Sequence, residues 1–128
     1  MPAPHREIIL ASAARTALVS GVPLRNLAGW QNCMLVFDWT VEAVSSTLTP
    51  AVSIEAIAGT SRIDVIWTAA AGLTAVGTYA YLFSGGGLIA SDFNGQEAVG
   101  FSIPPVCQFS VAVGDADSAT YSVEAHWW

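Results

Sequence analysis

The side chains that could carry acid, base or nucleophilic chemistry are few and widely separated in this sequence. The two histidines, His5 and His126, stand at opposite extremes of the chain, and neither lies in a recognisable motif. A hydrolytic triad needs a histidine held beside its nucleophile, so both are expected to be exposed and non-catalytic. Asp38 and Asp64 fall in strand-like segments that could be neighbours, and paired carboxylates can do acid and base work. Outward-facing, solvated carboxylates are the simpler interpretation.

Two further segments share features with ligand-binding loops. Asp115–Asp117 begins like a calcium loop, but the following ligand positions, the glycine and the closing glutamate are missing. The glycine run Gly85–Gly87 is followed by neither Lys-Ser nor Lys-Thr, so it cannot cradle a phosphate as a P-loop does. Turns are predicted at both places, with no metal, no cofactor and no enzymatic activity.

The charge balance excludes another functional class. The chain has 128 residues, no lysine, four arginines and ten carboxylates, for a net charge of −6. A protein that grips nucleic-acid phosphates needs the opposite balance, so no direct nucleic-acid partner is expected. Arg6, Arg15 and Arg25 make the N-terminal segment locally basic. A basic segment on an acidic body can dock onto an acidic partner, including a second copy of the chain.

The apolar content invites a comparison with membrane proteins, since 53% of the residues are hydrophobic and only 11% are charged. The segment Val65–Phe83 is uncharged and nearly long enough to span a bilayer. Its glycines and its few large aliphatic residues count against a spanning helix. The apolar stretch Ile8–Leu10 is short and follows Glu7, so no cleaved secretion signal is expected. The sequence therefore predicts no membrane partner and synthesis in the cytoplasm.

Most of the chain reads as short strands separated by turns. Residues Cys33–Val41 are rich in β-branched and aromatic side chains, with Asp38 and Thr40 on one face, which predicts a central strand. Thr49 and Pro50 are predicted to belong to a turn. Further strands are predicted at Val52–Ile57, Arg62–Trp67, Gly77–Phe83, Val99–Ile103, Val106–Val113 and Ala119–Ala125.

Short strands at regular spacing predict an all-β fold. The favoured architecture is an antiparallel two-sheet β-sandwich, with a jelly roll as its first variant. Residues 1–25 are predicted to form an extended N-terminal arm, or a short helix, beside a sandwich domain of residues 26–128. Cys33 and Cys107 are either buried free thiols or a disulfide, because pairing cannot be deduced from sequence.

Aromatic residues offer two possible roles. Trp39 and Trp67 lie within apolar strands and are predicted core residues. An exposed Trp30, Tyr79 or Tyr81 would instead support a sugar-binding platform, because aromatic rings stack on carbohydrate.

Two parts of the chain are predicted to contact a partner. Trp127 and Trp128 continue the last strand, and since neighbouring residues point to opposite faces, only one of them can enter the core. The N-terminal segment adds arginines and a short apolar run. The predicted interface residues are Arg6, Ile8, Ile9, Leu10, Arg15, Trp127 and Trp128.

Four segments carry a resemblance to a known family. They are Ala14–Ala17, the strand Val36–Ala43 before the Thr-Pro pair at 49–50, Thr74–Tyr79 and Asp115–Ala125. Over most of its length the chain resembles small β-sandwich structural proteins of tailed bacteriophage virions, which decorate or cement the capsid. The Trp-Trp pair at 127–128 is a departure from that family.

The resemblance implies a virion location and a role in assembly. It implies a homo-oligomer, a trimer or a dimer, arranged around a symmetry axis, and an arm that clamps neighbouring shell subunits. Repetition makes individually weak contacts strong together. The implied partner is the major capsid protein or another virion subunit. Two alternatives stay open: a tail or head-completion component of the same virion, and a carbohydrate- or receptor-binding module.

Overall fold

The computed structural model of the protein describes residues 4–42, 47–54, 64–85, 95–114 and 118–128. Within these ranges the chain forms nine strands and no helix, which confirms the all-β class. No helix able to cross a membrane occurs in this part of the chain. The strands are β1 (His5–Arg15), β2 (Val19–Arg25), β3 (Asn32–Glu42), β4 (Leu48–Ile54), β5 (Asp64–Thr68), β6 (Gly77–Ser84), β7 (Glu97–Val99), β8 (Val106–Val113) and β9 (Ala119–Trp127).

The strands are arranged in two sheets that share one core. Sheet A has the strand order β1-β9-β3-β6-β7, and sheet B has the order β2-β8-β4-β5. Neighbouring strands are antiparallel except β6 and β7, which pair in parallel. The predicted sandwich of two mostly antiparallel sheets is therefore confirmed.

Buried and more exposed side chains alternate along β3 and β9. In β3 the odd-numbered side chains from Cys33 to Trp39 are each 1% exposed, while the residues between them are more exposed. β9 repeats the pattern from Ala119 to Trp127. β3 lies between β9 and β6, so the prediction of a central strand is confirmed.

Aromatic side chains fill the space between the sheets. Trp67 of sheet B meets Tyr81 and Phe83 of sheet A edge-on, with ring centroids 5.2 and 5.0 Å apart. Phe37 stacks on Tyr121 within sheet A at 4.8 Å. Each such buried ring contributes about 1.5–3 kcal/mol through the apolar surface that it removes from water. The predicted core positions of Trp39 and Trp67 are confirmed.

A separate N-terminal arm is not confirmed. Residues 5–15 pair with β9 at one edge of sheet A, and residues 19–25 pair with β8 at one edge of sheet B. The physical reason is burial: Leu24 is fully enclosed, and Ile9, Leu10 and Val22 pack against the core. Because this segment supplies part of the core, it belongs to the sandwich.

Two local predictions are wrong. Thr49 and Pro50 lie within β4, where Pro50 is buried and its carbonyl accepts a hydrogen bond from the Ala69 N–H at 3.0 Å. The predicted strand Val99–Ile103 contributes only Val99 to β7. Beyond Val99, the Ser102 hydroxyl and the Ile103 carbonyl bond to the loop between β2 and β3, and not to a neighbouring strand. The predicted turn at Asp115–Asp117 lies outside the described residues.

The two cysteines are free thiols, and both are buried. Cys33 belongs to β3 in sheet A and Cys107 to β8 in sheet B. Burial raises the pKa of the Cys33 thiol, because the thiolate would lose its hydration. A protonated, enclosed thiol behaves as a small apolar side chain and is a poor nucleophile.

Glu97 joins the two sheets at their far edges. Its carboxylate accepts a hydrogen bond from the Trp67 indole N–H at 3.0 Å and another from the Ala70 backbone N–H at 3.1 Å. Glu97 belongs to β7 of sheet A, whereas Trp67 belongs to β5 of sheet B. This single carboxylate therefore fixes the sheets relative to one another where neither has a further strand.

We expect Glu97→Ala to lower the free energy of unfolding by about 1–3 kcal/mol, because it leaves a buried indole N–H without its acceptor. Asp38→Ala is the control, since Asp38 accepts a bond from the exposed Thr78 hydroxyl at 3.2 Å. The control should change the free energy by no more than about 0.5 kcal/mol. Urea unfolding followed by tryptophan fluorescence measures both, and equal losses would contradict the bridging role of Glu97.

Candidate functional site

A stack of three rings marks one end of the sandwich. The Trp30 ring stacks on the His5 ring, at a centroid distance of 5.6 Å, and on the Trp127 ring, at 5.5 Å. The Trp127 indole N–H donates to the Glu7 carboxylate at 3.0 Å. The stack thereby connects β1, β9 and the loop between β2 and β3, which are far apart in the sequence.

Asn26 holds the loop that carries Trp30. Its side-chain amide donates to the carbonyl oxygens of Trp30 and Ile103, at 2.7 and 2.8 Å, and its amide oxygen accepts the Trp30 N–H at 2.8 Å. Its backbone N–H donates to the Pro105 carbonyl at 3.2 Å. A buried asparagine with these bonds keeps a short loop in one conformation, because each broken bond would leave a polar group unpaired.

A cavity of about 450 Å³ opens beside the ring stack, and we call it the Trp128 pocket. Its volume falls within the range of sites that accept a small molecule or a large side chain. Trp127 is buried, but Trp128 is 39% exposed, which confirms that only one of the two tryptophans enters the core. The residues that line the pocket are Pro4, His5, Arg6, Met34, His126, Trp127 and Trp128.

Polar groups of β1 and β9 form one rim of the Trp128 pocket. The Arg6 guanidinium donates to the Glu124 carboxylate through two nitrogens, at 2.6 and 3.1 Å, and His126 Nε2 lies 3.3 Å from the same carboxylate. The hydrogen bond from Arg6 lowers the pKa of Glu124, and the same contact raises the pKa of Arg6. The carboxylate therefore remains charged and holds both side chains in place.

His5 and His126 are brought together, although the sequence separates them by almost the whole chain. Arg6, the residue after His5, pairs with His126 in the ladder between β1 and β9. Both histidines line the Trp128 pocket. The prediction that both are exposed is confirmed for His5, whereas His126 is partly buried. His5 stacks on Trp30, whereas His126 contacts Glu124. No group of three or more potential metal ligands occurs among the residues that the structure describes.

Asp38 and Asp64 do not lie on neighbouring strands, so they do not form the carboxylate pair considered from the sequence. Asp38 lies on β3 in sheet A, whereas Asp64 lies on β5 in sheet B, so their strands are not neighbours. Asp38 accepts the Thr78 hydroxyl at 3.2 Å, as a solvated carboxylate on an outer sheet face can.

The three rings proposed for sugar stacking are largely occupied within the protein. Tyr81 is 1% exposed, and its ring belongs to the core. Trp30 is partly buried, and its ring stacks on His5 and on Trp127. Tyr79 packs partly on the core and donates its hydroxyl to the Ala75 carbonyl at 2.6 Å. A sugar ring needs a free aromatic face, and Tyr81 offers none, whereas Trp30 and Tyr79 are only partly buried.

The apolar run in β1 divides between surface and core. Ile8 is 65% exposed, whereas Ile9 and Leu10 both pack against the core. Simple alternation would point Leu10 outward with Ile8, but a register shift between Ile8 and Leu10 turns both later residues inward. Of this run, only Ile8 presents its side chain fully to a partner.

The Arg15 guanidinium makes its contacts within the protein. Its guanidinium donates to the carbonyl oxygens of Ala11, Ala13 and Tyr121, at 2.5, 3.1 and 2.5 Å, and lies 4.5 Å above the Tyr121 ring. These contacts coincide with a second register shift between Leu10 and Ala13. Arg15 therefore satisfies backbone groups that the irregular ladder leaves free, and it is not an open cationic anchor.

β1 leaves a long sheet edge open. The other edge strands are shorter: β7 has three residues, β5 has five, and β2 has seven including Pro23, whereas β1 has eleven and no proline. Trp128 and Asn32 exchange backbone hydrogen bonds of 3.0 and 3.1 Å. Backbone N–H and C=O groups alternate sides along a strand, so those of Trp127 point toward β1. By the same alternation, the backbone groups of Arg6 and Ile8 point away from β9, to the free edge.

Several residues of this end could not be recognised in the sequence. Met34 and Pro4 line the pocket, Asn26 fixes the loop, and Leu27 is 79% exposed beside a second cavity of about 250 Å³. The alternation of β3 places Met34 opposite the buried Cys33, which is a usable signal. Nothing local to Asn26 or Leu27 indicates their roles.

Comparison of the chain with family models, with curated proteins and with solved structures finds no match.

We expect Arg6→Gln to raise the pKa of Glu124 toward its ordinary value of about 4.5, since the main hydrogen-bond donor is lost. In the native protein the lowered pKa makes the Arg6 contact stabilising above that value, and the contribution disappears as the pH falls through the folded-state pKa. His126 still contacts the carboxylate, so the return is partial. Carboxyl NMR titration measures the shift, with Arg25→Gln as the control. An unchanged Glu124 titration in Arg6→Gln would refute this account of the rim.

Proposed function

We propose that this chain is a structural subunit of a tailed bacteriophage virion, which decorates or cements the capsid shell. The observation that carries the proposal is the open edge of β1, where Ile8 is 65% exposed on an eleven-residue strand that pairs only with β9 within its sheet. An uncovered strand edge is a template for a segment of another chain.

We further propose that the sandwich is a jelly roll. With the short β7 set aside, the first strand pairs with the last, the second with the last but one, β3 with β6, and β4 with β5. These pairs follow one long hairpin that is wrapped into two sheets. Jelly rolls are common both in viral capsid proteins and in lectins. The fold therefore supports a virion role but agrees equally with carbohydrate binding.

The proposed shell contact uses β1 in place of a detached arm. Arg6 and Ile8 direct backbone groups to the free edge, and the register shift after Ile8 ends the regular part of that edge. The shell therefore adds a short strand beside His5–Ile8, with Ile8 as the apolar contact. Such a short contact is weak by itself and becomes firm when an oligomer presents several copies to a repeating surface.

The partner in this proposal is the major capsid protein, and the chain acts as a homo-oligomer. Only 11% of the residues in the chain are charged, so much of its surface can be buried against another copy without taking charges out of water. Assembly through a strand edge and apolar contacts requires no cofactor.

The test is co-sedimentation of the protein with shells assembled from the major capsid protein encoded in the same genome. Ile8→Glu should weaken binding at least about tenfold, because it places a charge in an apolar contact and repels other carboxylates. Val41→Glu is the matched control: Val41 is 55% exposed and lies in β3, away from the β1 edge. Absence of binding by the wild-type protein, or equal losses in the two variants, would exclude this function.

A further inference from the structure

The Trp128 pocket and the free edge of β1 lie on the same outer face of sheet A. Arg6 and Ile8 flank Glu7, whose carboxylate points inward, where it accepts the indole N–H of the buried Trp127. Since side chains alternate along a strand, Arg6 and Ile8 point outward, and both are exposed. Arg6 also lines the pocket. The pocket therefore begins two residues along β1 from the apolar contact of the proposed shell site.

The same two residues carry the backbone groups of the open edge. The N–H and C=O groups of Arg6 and Ile8 point away from β9, and no strand of the described residues pairs with β1 on that side. An extended peptide bonds to such a row of groups, because its own N–H and C=O groups have the matching spacing. The ligand that suits this edge is therefore a strand of another protein.

A strand beside His5–Ile8 brings its own side chains up to the pocket. Its alternate residues point to the outer face, about 6.5–7 Å apart, at the levels of Ile8, Arg6 and Pro4. Pro4, which directly precedes β1, and Arg6 both line the pocket on the β1 side. Aromatic and long side chains reach diagonal positions across a neighbouring strand. A residue level with Arg6 or Pro4 can therefore enter the pocket.

The wall of the pocket favours an apolar side chain. Trp128, Met34 and Pro4 supply apolar surface, and Trp128 is 39% exposed. The Arg6 guanidinium donates twice to the Glu124 carboxylate, at 3.1 and 2.6 Å, so this polar part of the wall is paired within the protein. A charged occupant would have to compete for these bonds, whereas an apolar one is stabilised by leaving water.

We infer that the Trp128 pocket receives a large apolar side chain of the strand that pairs with the β1 edge, so that edge and pocket form one peptide-binding site. Backbone pairing supplies affinity at such sites, and a pocket for an alternate side chain supplies specificity. The inference rests on the proposed function, since it states what the shell segment must carry. That segment has an aromatic or long aliphatic residue two or four positions from the residue that covers Ile8.

Co-sedimentation with the assembled shells tests the pocket separately from the edge. Trp128→Ala should weaken binding at least about tenfold, because it removes the apolar wall against which the inserted side chain packs. Trp128→Phe keeps an aromatic wall and should bind within about threefold of the wild-type protein. Val65→Ala is the control: Val65 is 62% exposed but lies in β5 of sheet B, and its substitution should leave binding unchanged. Circular dichroism verifies that each variant folds, and the Trp128 backbone bonds to Asn32 do not depend on the indole.

Photo-crosslinking determines whether one strand occupies both the edge and the pocket. Benzoylphenylalanine replaces Ile8 in one variant and Trp128 in another, and mass spectrometry identifies the cross-linked shell residues. Both cross-links should fall in one segment, within about six residues of each other, because a strand advances only about 3.3 Å per residue.

The outcomes separate this inference from the proposed function. Cross-links in two distant shell segments, or equal binding by Trp128→Ala and the wild-type protein, overturn the inference. If Ile8→Glu still weakens binding in that case, the proposed function stands without the pocket. Absence of binding by the wild-type protein excludes the shell as partner, and the inference with it.

Discussion

Side-chain alternation along β9 determines most of what this molecule presents to its surroundings. The strand lies between β1 and β3, and its odd-numbered residues from Ala119 to Trp127 are buried. Since successive side chains of a strand point to opposite faces, Glu124 and His126 must lie on the outer face, and Trp128 must follow them. The core therefore dictates the position of the rim residues and of the exposed tryptophan, and the Trp128 pocket depends on the packing beneath it.

Several irregular features of the fold lie at the sheet edges. Register shifts in β1 turn Ile9 and Leu10 into the core, and the Arg15 guanidinium satisfies carbonyl oxygens near the second shift. Asn26 does similar work at the other end of β2, where it fixes the loop that carries Trp30. These polar side chains are structural because a buried or half-buried backbone group without a partner is costly.

A chain with few charged residues and an open sheet edge is suited to assembly. In our proposal the β1 edge meets the shell, with Ile8 as the apolar contact. A short contact of this kind is weak by itself, but its repetition over many copies makes the assembled array stable.

The sequence by itself determined the class of fold and the main core residues. The alternation in Cys33–Val41 and Ala119–Ala125 is local, so it identified both strands and placed Trp39 in the core without knowledge of any partner strand. It also predicted that Trp127 and Trp128 would separate, because that depends only on strand geometry. Only the tertiary structure decided that residues 5–25 contain two edge strands and that both histidines line one pocket. It alone built the Trp128 pocket from β1, β3 and β9, because these are contacts between distant segments and leave no local pattern.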